Sequence, residues 1–348
     1  MSERPKRPSR HAPVDDDARK SRRHKWLRVA ASGLGTLLLS WVIVFCVPNV
    51  VDVVRAYNFH APAPVSAINK RLKLADRGTD IFYASNPQID EKDAFNANCG
   101  TQERSTAILG CFYKDRIYLY DLKNTELDGT LEVTAAHEML HAAYQRLTMF
   151  ERWWVDKMIV AEYDKVKDDT IIKQLMAYYT VAEPGAEIDE LHSILGTVMA
   201  KLDPDLEHYY TKYFNDRAAV VALNTKYNQV FNDIQTQSEA LEQKLSIEEP
   251  EITTLLVQYD ADRTKLEADI ASFNARAKAN QFATQAAFNS ERSGLLIRID
   301  ELNTRRDIIN AKVVTYNADV EALNKLSMHT NELYQSMNGA EAMGTLKY

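Results

Sequence analysis

Three kinds of chemistry are missing from this chain. There is no glycine-rich loop of the sort that cradles phosphates, although eleven glycines are scattered through 348 residues. No pair of its three cysteines has the CxxC spacing of a zinc knuckle. Spacing suggests neither a Ser–His–Asp nor a Cys–His arrangement. The net charge is −7, and most of the basic excess sits in the first 28 residues. The remainder is therefore markedly acidic, which excludes a nucleic acid as partner.

Those first residues hold ten arginines and lysines, few apolar groups and no periodicity, and they read as a disordered cytosolic tail over 1–28. Next comes Val29–Val51, "VAASGLGTLLLSWVIVFCVPNVV", in which charge is absent. At ~1.5 Å per helical residue it matches a ~30 Å hydrocarbon core, so a transmembrane helix is expected over 29–51. A signal peptide would have a shorter apolar stretch, and a buried soluble helix would show a polar face. The cluster "RKSRRHK" precedes the run, whereas Asp52 and Arg55 nearly balance after it. The positive-inside rule then predicts a single-pass cell-membrane protein with a cytoplasmic N-terminus and everything past residue 51 outside. Cys46 falls within the span. Cys99 and Cys111 lie on the outer, oxidising side and are expected to form a disulfide, worth about 3 kcal/mol through loop closure.

The outer portion is expected to be α+β and mostly helical, with a small antiparallel sheet over residues 52–215. A short helix is expected at 65–75, and "DIFYAS" and "RIYLYDL" have the composition of strands. Helical patterns cover 131–147, about 150–180 and 187–202, with "AEPGAE" as a break and "LDPDLEHYY" opening another helix. From 216 to 338 glycine disappears until Gly294. There Leu295, Ile299, Leu302, Ile309, Val313, Tyr316, Val320 and Leu323 alternate in steps of three and four, with Arg306 as the one polar intruder. Ile252, Leu255, Tyr259, Leu266, Ile270 and Phe273 keep a similar beat. Two long antiparallel helices joined near 279–290 are predicted, with Pro250 kinking the first or restarting it, and with residues 339–348 as a tail.

The chemistry concentrates in "VTAAHEMLHAAYQ", Val133–Gln145. Thr134, His137, Glu138 and His141 share one helix face, and residues four apart project side by side, so both imidazoles can reach one Zn²⁺. Glu138 is then placed as general base and acid for a water that zinc acidifies. A third ligand is needed. Twenty residues separate His141 from Glu162 and forty-eight separate it from Glu190; Glu187, Asp189 and His192 are nearby alternatives, and spacing leaves the choice open. His192 and Ser193 are candidates to orient ligands from behind, and Trp153 and Trp154 are expected to pack in a core or an interface rather than bind substrate.

"TAAHEMLHAAYQRL" together with "ELHSILGT" resembles bacterial membrane-anchored metallopeptidases of the gluzincin type, meaning HExxH plus a downstream Glu. The similarity runs through "DRGTDIFYASNPQID", "NANCG", "LGCFYKDRIYLYDL", "YYTKYFNDR" and "VTYNADVEALN". The resemblance implies a zincin-like domain with His137, His141 and Glu190 as ligands. The longer spacing is also similar to that of the anthrax lethal factor clan, which carries a tyrosine about two turns before the ligand; this chain has Glu183 there, with Tyr178 and Tyr179 further back. The expected function is hydrolysis of a peptide or protein substrate outside the membrane, the substrate lying extended along an edge strand such as 116–122. Cell-wall peptide crosslinks are an alternative target. The competing expectation is a non-catalytic envelope scaffold whose coiled coil recruits a protein partner.

Overall fold

The computed structural model describes residues 32–36, 47–99, 109–182 and 184–337. Of the apolar run 29–51, residues 32–36 and 47–51 are described and helical, and the rest lies outside the described residues, as do the tails at 1–28 and 339–348. Among the described residues no helix is long and apolar enough to cross a membrane. Two compact units interleave along the chain. One holds the described residues up to Gln88 with Phe112–Ile117 and Ala135–Arg217; the other holds Ile89–Cys111, Tyr118–Thr134 and the chain from Ala218. The boundary drawn from sequence at 215/216 thus falls beside the second change of unit at 217/218, while 89–111 and 118–134 group with the long helices.

The first unit begins with α1 (Val47–Asn58), α2 (Ala63–Leu72) and α3 (Asp76–Ala84). Helix α3 contains most of "DIFYAS", which had been expected as a strand. The correction has a simple cause: Gly78, Ile81, Phe82 and Ser85 are buried, and that spacing is helical. Packing overrides the strand preference of Ile, Phe and Tyr. Gly78 is required because a Cβ there would lie 2.2 Å from the Tyr213 carbonyl oxygen. Along the chain α4 (Lys92–Cys99) belongs to the second unit and α5 (Thr130–Gln145) straddles the change of unit after Thr134, while α6 (Met149–Val166), α7 (Thr170–Ala182), α8 (Glu187–Thr197) and α9 (Pro204–Tyr210) lie in the first. The single helix expected at 150–180 is broken at 167–169, where the Asp169 carboxylate accepts hydrogen bonds from the backbone of Ile171 and Ile172 and so starts α7. Helix α8 stops at Thr197, short of the expected 202.

Strands β1 (Gln88–Asp90), β2 (Gly110–Tyr113) and β3 (Arg116–Tyr120) form a sheet in the order β1-β3-β2. Lys114 and Asp115, at φ 49° and 62°, turn β2 into β3 in the left-handed conformation that two-residue hairpins favour. Ile117 donates to the Ser85 carbonyl and Asp121 to that of Asp90, so β1 runs alongside β3 in the same direction. The sheet is therefore mixed rather than antiparallel. Strand β3 is its central strand, which corrects the expected edge at 116–122: both of its sides are already paired, and no extended peptide can add there.

In the second unit Cys99 and Cys111 are joined by a disulfide, with their Cα atoms 5.9 Å apart. Its long helices are α10 (Arg217–Lys278) and α11 (Gln285–Ser336), linked by 279–284. Pro250 sits inside an unbroken α10. Arg276–Glu291, Arg298–Asp269, Arg305–Asp262, Lys312–Glu251 and Lys244–Asp319 pair across the two helices in opposite order, so they are antiparallel as expected. Leu266, Phe273, Leu295 and Ile309 are buried on the seam, and Arg306 stays exposed beside Asp307. Phe273, Phe282 and Phe288 close the tip, with centroids 5.1–5.2 Å apart.

One buried ionic cluster fastens the start of the first unit. Asp52, on the inner face of α1, is 3% exposed. It accepts from Arg146 at 2.9 Å and meets Arg77 at 2.8 Å. Arg146, just past α5, also donates to Asp115 and to the Ala142 carbonyl, each at 2.9 Å. Removing the central carboxylate takes away the ion pair of Arg77 and one of the two carboxylates that meet Arg146. Asp52→Ala is expected to lower unfolding stability by about 3 kcal/mol, measured by urea titration, and a loss under 0.5 kcal/mol would show that the cluster holds nothing together.

Candidate metal centre

Helix α5 is buried nearly all round. Between Glu132 and Tyr144 only Thr134, His137 and His141 are even half-open, and they form a single stripe at helical spacing. A short 3₁₀ turn at Thr125–Leu127 and Gly129, at φ 102°, precede the helix. The alanines at 135, 136, 142 and 143 let its other sides come close to their neighbours.

Helix α8 brings the third group. Residues 190 to 197 are all buried, and Glu190 is only 3% exposed. Gly196 makes the approach feasible: a Cβ there would lie 2.5 Å from Leu140 of α5 and 2.9 Å from Tyr210. The resulting geometry is tight. His137 Nε2 and His141 Nε2 are 3.1 Å apart, Glu190 Oε1 is 3.4 Å from His141 Nε2, and Glu190 Oε2 is 3.5 Å from His137 Nε2. Ligands ~2.0–2.1 Å from a tetrahedral ion stand roughly 3.3 Å from each other, and all three separations are close to that. A further detail fits a cation: the 3%-exposed Glu190 has Oε2 without a hydrogen-bond partner among the described residues. His137, His141 and Glu190 thus form a group that could hold a metal ion.

The surroundings are arranged for that charge. His141 Nδ1 donates to Asp189 Oδ1 at 2.8 Å, which fixes the tautomer and points the Nε2 lone pair at the centre. Burial alone would keep His141 neutral, but Glu190, the Asp189 hydrogen bond and the charges of Asp189 and Glu138 raise its pKa to about 10. Burial opposes ionisation of Glu190 as well, and the two imidazoles outweigh it, leaving the carboxyl below its usual range. Glu138 is 4% exposed and close enough to influence His141 electrostatically.

No family model, curated protein or solved structure matches the chain. The candidate residues are therefore judged on geometry. Glu162 is buried too, but its carboxylate is engaged by Lys165 at 2.9 Å and the Asp203 amide at 3.2 Å, away from the imidazoles. Asp189 supports His141 instead of competing as a ligand, and Glu187 is half-exposed on the first turn of α8. His192 turns away: its Nε2 meets the Tyr209 hydroxyl at 2.9 Å, its carbonyl accepts from Tyr210, and burial, aided by His141 and His137, pushes its pKa down to about 3. Neither it nor Ser193, whose hydroxyl has no partner, bonds a candidate ligand. Glu183 lies outside the described residues, whereas the Tyr179 ring lies within 20° of parallel to His137, with centroids 6.4 Å apart.

These placements separate the candidates experimentally. Asp189→Ala is expected to weaken zinc binding 10- to 100-fold with the melting temperature nearly unchanged, read by competition with a chromophoric chelator. Glu162→Gln is expected to keep full zinc stoichiometry and lose stability. Loss of zinc in Glu162→Gln alone would assign the ligand to the wrong helix.

Proposed function

We propose that the chain is a membrane-anchored zinc metallopeptidase of the gluzincin type, acting on peptides or proteins outside the membrane. The observation that carries this reading is the convergence of His137, His141 and Glu190 at tetrahedral ligand separations, with Glu138 beside the first ligand. Three protein ligands leave a fourth position open, as catalytic rather than structural zinc sites do. The likeness of the motif helix and of "ELHSILGT" to gluzincin metallopeptidases supports the same assignment, and the charge-free run at 29–51 supports the anchor.

Zinc bound there would polarise a scissile carbonyl and bring the pKa of water toward ~7. The chain supplies the rest. His137 and His141 offer Nε2, and Asp189 holds the His141 ring in its tautomer through Nδ1. Glu190 contributes a buried negative charge. Glu138 accepts the proton of the attacking water on its carboxylate and returns it to the leaving amide nitrogen, a role suited to a buried acid one residue from a ligand. Substrate cannot pair with β3, whose two sides are already taken by β1 and β2.

The decisive comparison uses the full chain in detergent, zinc analysis and an unstructured fluorogenic protein as substrate. Glu138→Gln is expected to retain zinc and lose 10²- to 10⁴-fold in rate, while His137→Ala loses both. Equal proteolysis by wild type and Glu138→Gln would overturn the assignment.

A further inference from the structure

Helix α6 is apolar on two opposite faces. Val155, Ile159 and Glu162 face the interior, and Phe150, Trp153, Lys157 and Val160 run at the same helical spacing along the outside, flanked by Met149 and Trp154. The outer side chains are strongly exposed: Met149 77%, Phe150 67%, Trp153 51% and Trp154 62%. Two adjacent exposed tryptophans are costly to leave in water, and from Phe150 to Val160 the stripe has no carboxylate; the next position at that spacing is Asp164, exposed and paired with Lys167. Within that span the one charge is Lys157, whose ammonium lies 3.6 Å over the Trp153 ring. Trp, Phe and Met with a lysine that can reach upward is the composition of segments that sit at the lipid–water boundary.

The position of this stripe decides what covers it. A cavity of about 220 Å³ is lined jointly by Asn49, on the first turn of α1, and by Thr148 and Glu151, which cap the first turn of α6. Asn49 also belongs to the end of the apolar run 29–51. The N-terminal turn of α6, where Met149 and Phe150 lie, is thus next to the point at which the chain would leave a bilayer. Val50, Val51, Val53 and Val54 of α1 are exposed there too.

We infer that the outer face of α6 docks in the interfacial zone of the membrane that holds the anchor, with Trp153 and Trp154 at headgroup depth. This rests on reading 29–51 as a transmembrane helix, and the experiment reports on the two separately. The chain has four tryptophans, and the other two are Trp26 and Trp41. In a Trp26→Phe/Trp41→Phe background, full-length protein is reconstituted in vesicles of phosphatidylethanolamine and phosphatidylglycerol brominated either near the headgroup or near the chain end. Emission of Trp153 and Trp154 is expected to fall at least twofold with the shallow bromines and less with the deep ones. In a second variant, Trp26→Phe/Trp153→Phe/Trp154→Phe, Trp41 reports the anchor through the deep bromines. Unquenched Trp153 and Trp154 overturn the docking, whether they are open to acrylamide in water or shielded from it by a second protein surface. They do so whatever Trp41 shows. Unquenched Trp41 removes the anchor alone, and shallow quenching of the α6 pair would then still establish docking.

Discussion

Everything at the candidate site depends on a carboxylate buried where only two imidazoles can answer its charge. Glu190 lies on a helix whose residues 190–197 are wholly enclosed, so the usual escape of an uncomfortable anion, rotation into water, is closed. Compensation must come from positive charge placed between Nε2 of His137 and Nε2 of His141. A proton partly serves, which is why His141 binds one so firmly despite its burial. A divalent ion serves all three groups at once. The precision of the arrangement is inherited from packing: Gly196 sets how near α8 comes to α5, and the buried alanines of α5 hold that helix against its other neighbours.

The parts of this site that were legible in the sequence are those governed by local geometry. His137, Glu138 and His141 are one turn of one helix, and a helical period suffices to gather them. Which side chain meets the two imidazoles is settled by tertiary packing, and spacing left Glu162, Glu190 and the neighbours of Glu190 open. A local signal did exist: Lys165 stands three residues after Glu162, in position to neutralise it, whereas "EIDELHSIL" offers Glu190 no lysine or arginine. Asp189, considered as a ligand, proves to be the partner of His141 Nδ1, a distinction of rotation about one helix that no sequence pattern carries. "DIFYAS" misled for a related reason. Its strand-forming composition is real, but burial at 78, 81, 82 and 85 follows the helical period, and composition without periodicity is weak evidence.

The long helices were easier to read because their pattern repeats. Each seam position predicted from 295 to 323, Arg306 excepted, is buried or half-buried. The ion pairs flanking the seam are mostly solvent-exposed and contribute little stability apiece, roughly 0–1 kcal/mol. Their effect is on register. Every one of the five joins opposite charges in antiparallel order, and a slip along the seam would bring mismatched side chains opposite one another. Pro250 is tolerated for lack of competing order: it removes one helical hydrogen bond, while the apolar beat resumes at Ile252, which is buried.

Asp52 gives the first unit its second fixed point. A carboxylate this enclosed is stable only because two guanidinium groups meet it, and one of them, Arg146, extends from the C-terminal end of the motif helix. Helix α1 is therefore not a loose tether. Its Asp52 side chain pairs with Arg146, directly after the helix that carries His137 and His141. Asp115 reinforces this by taking both Arg146 and Arg55, the latter itself on α1. Breaking such a network partway is worse than having none, since each orphaned charge bears its own desolvation penalty. The arrangement thus favours a single orientation of the motif helix relative to α1, through Arg146, which follows the HExxH motif by five residues, and through carboxylates far from it in sequence.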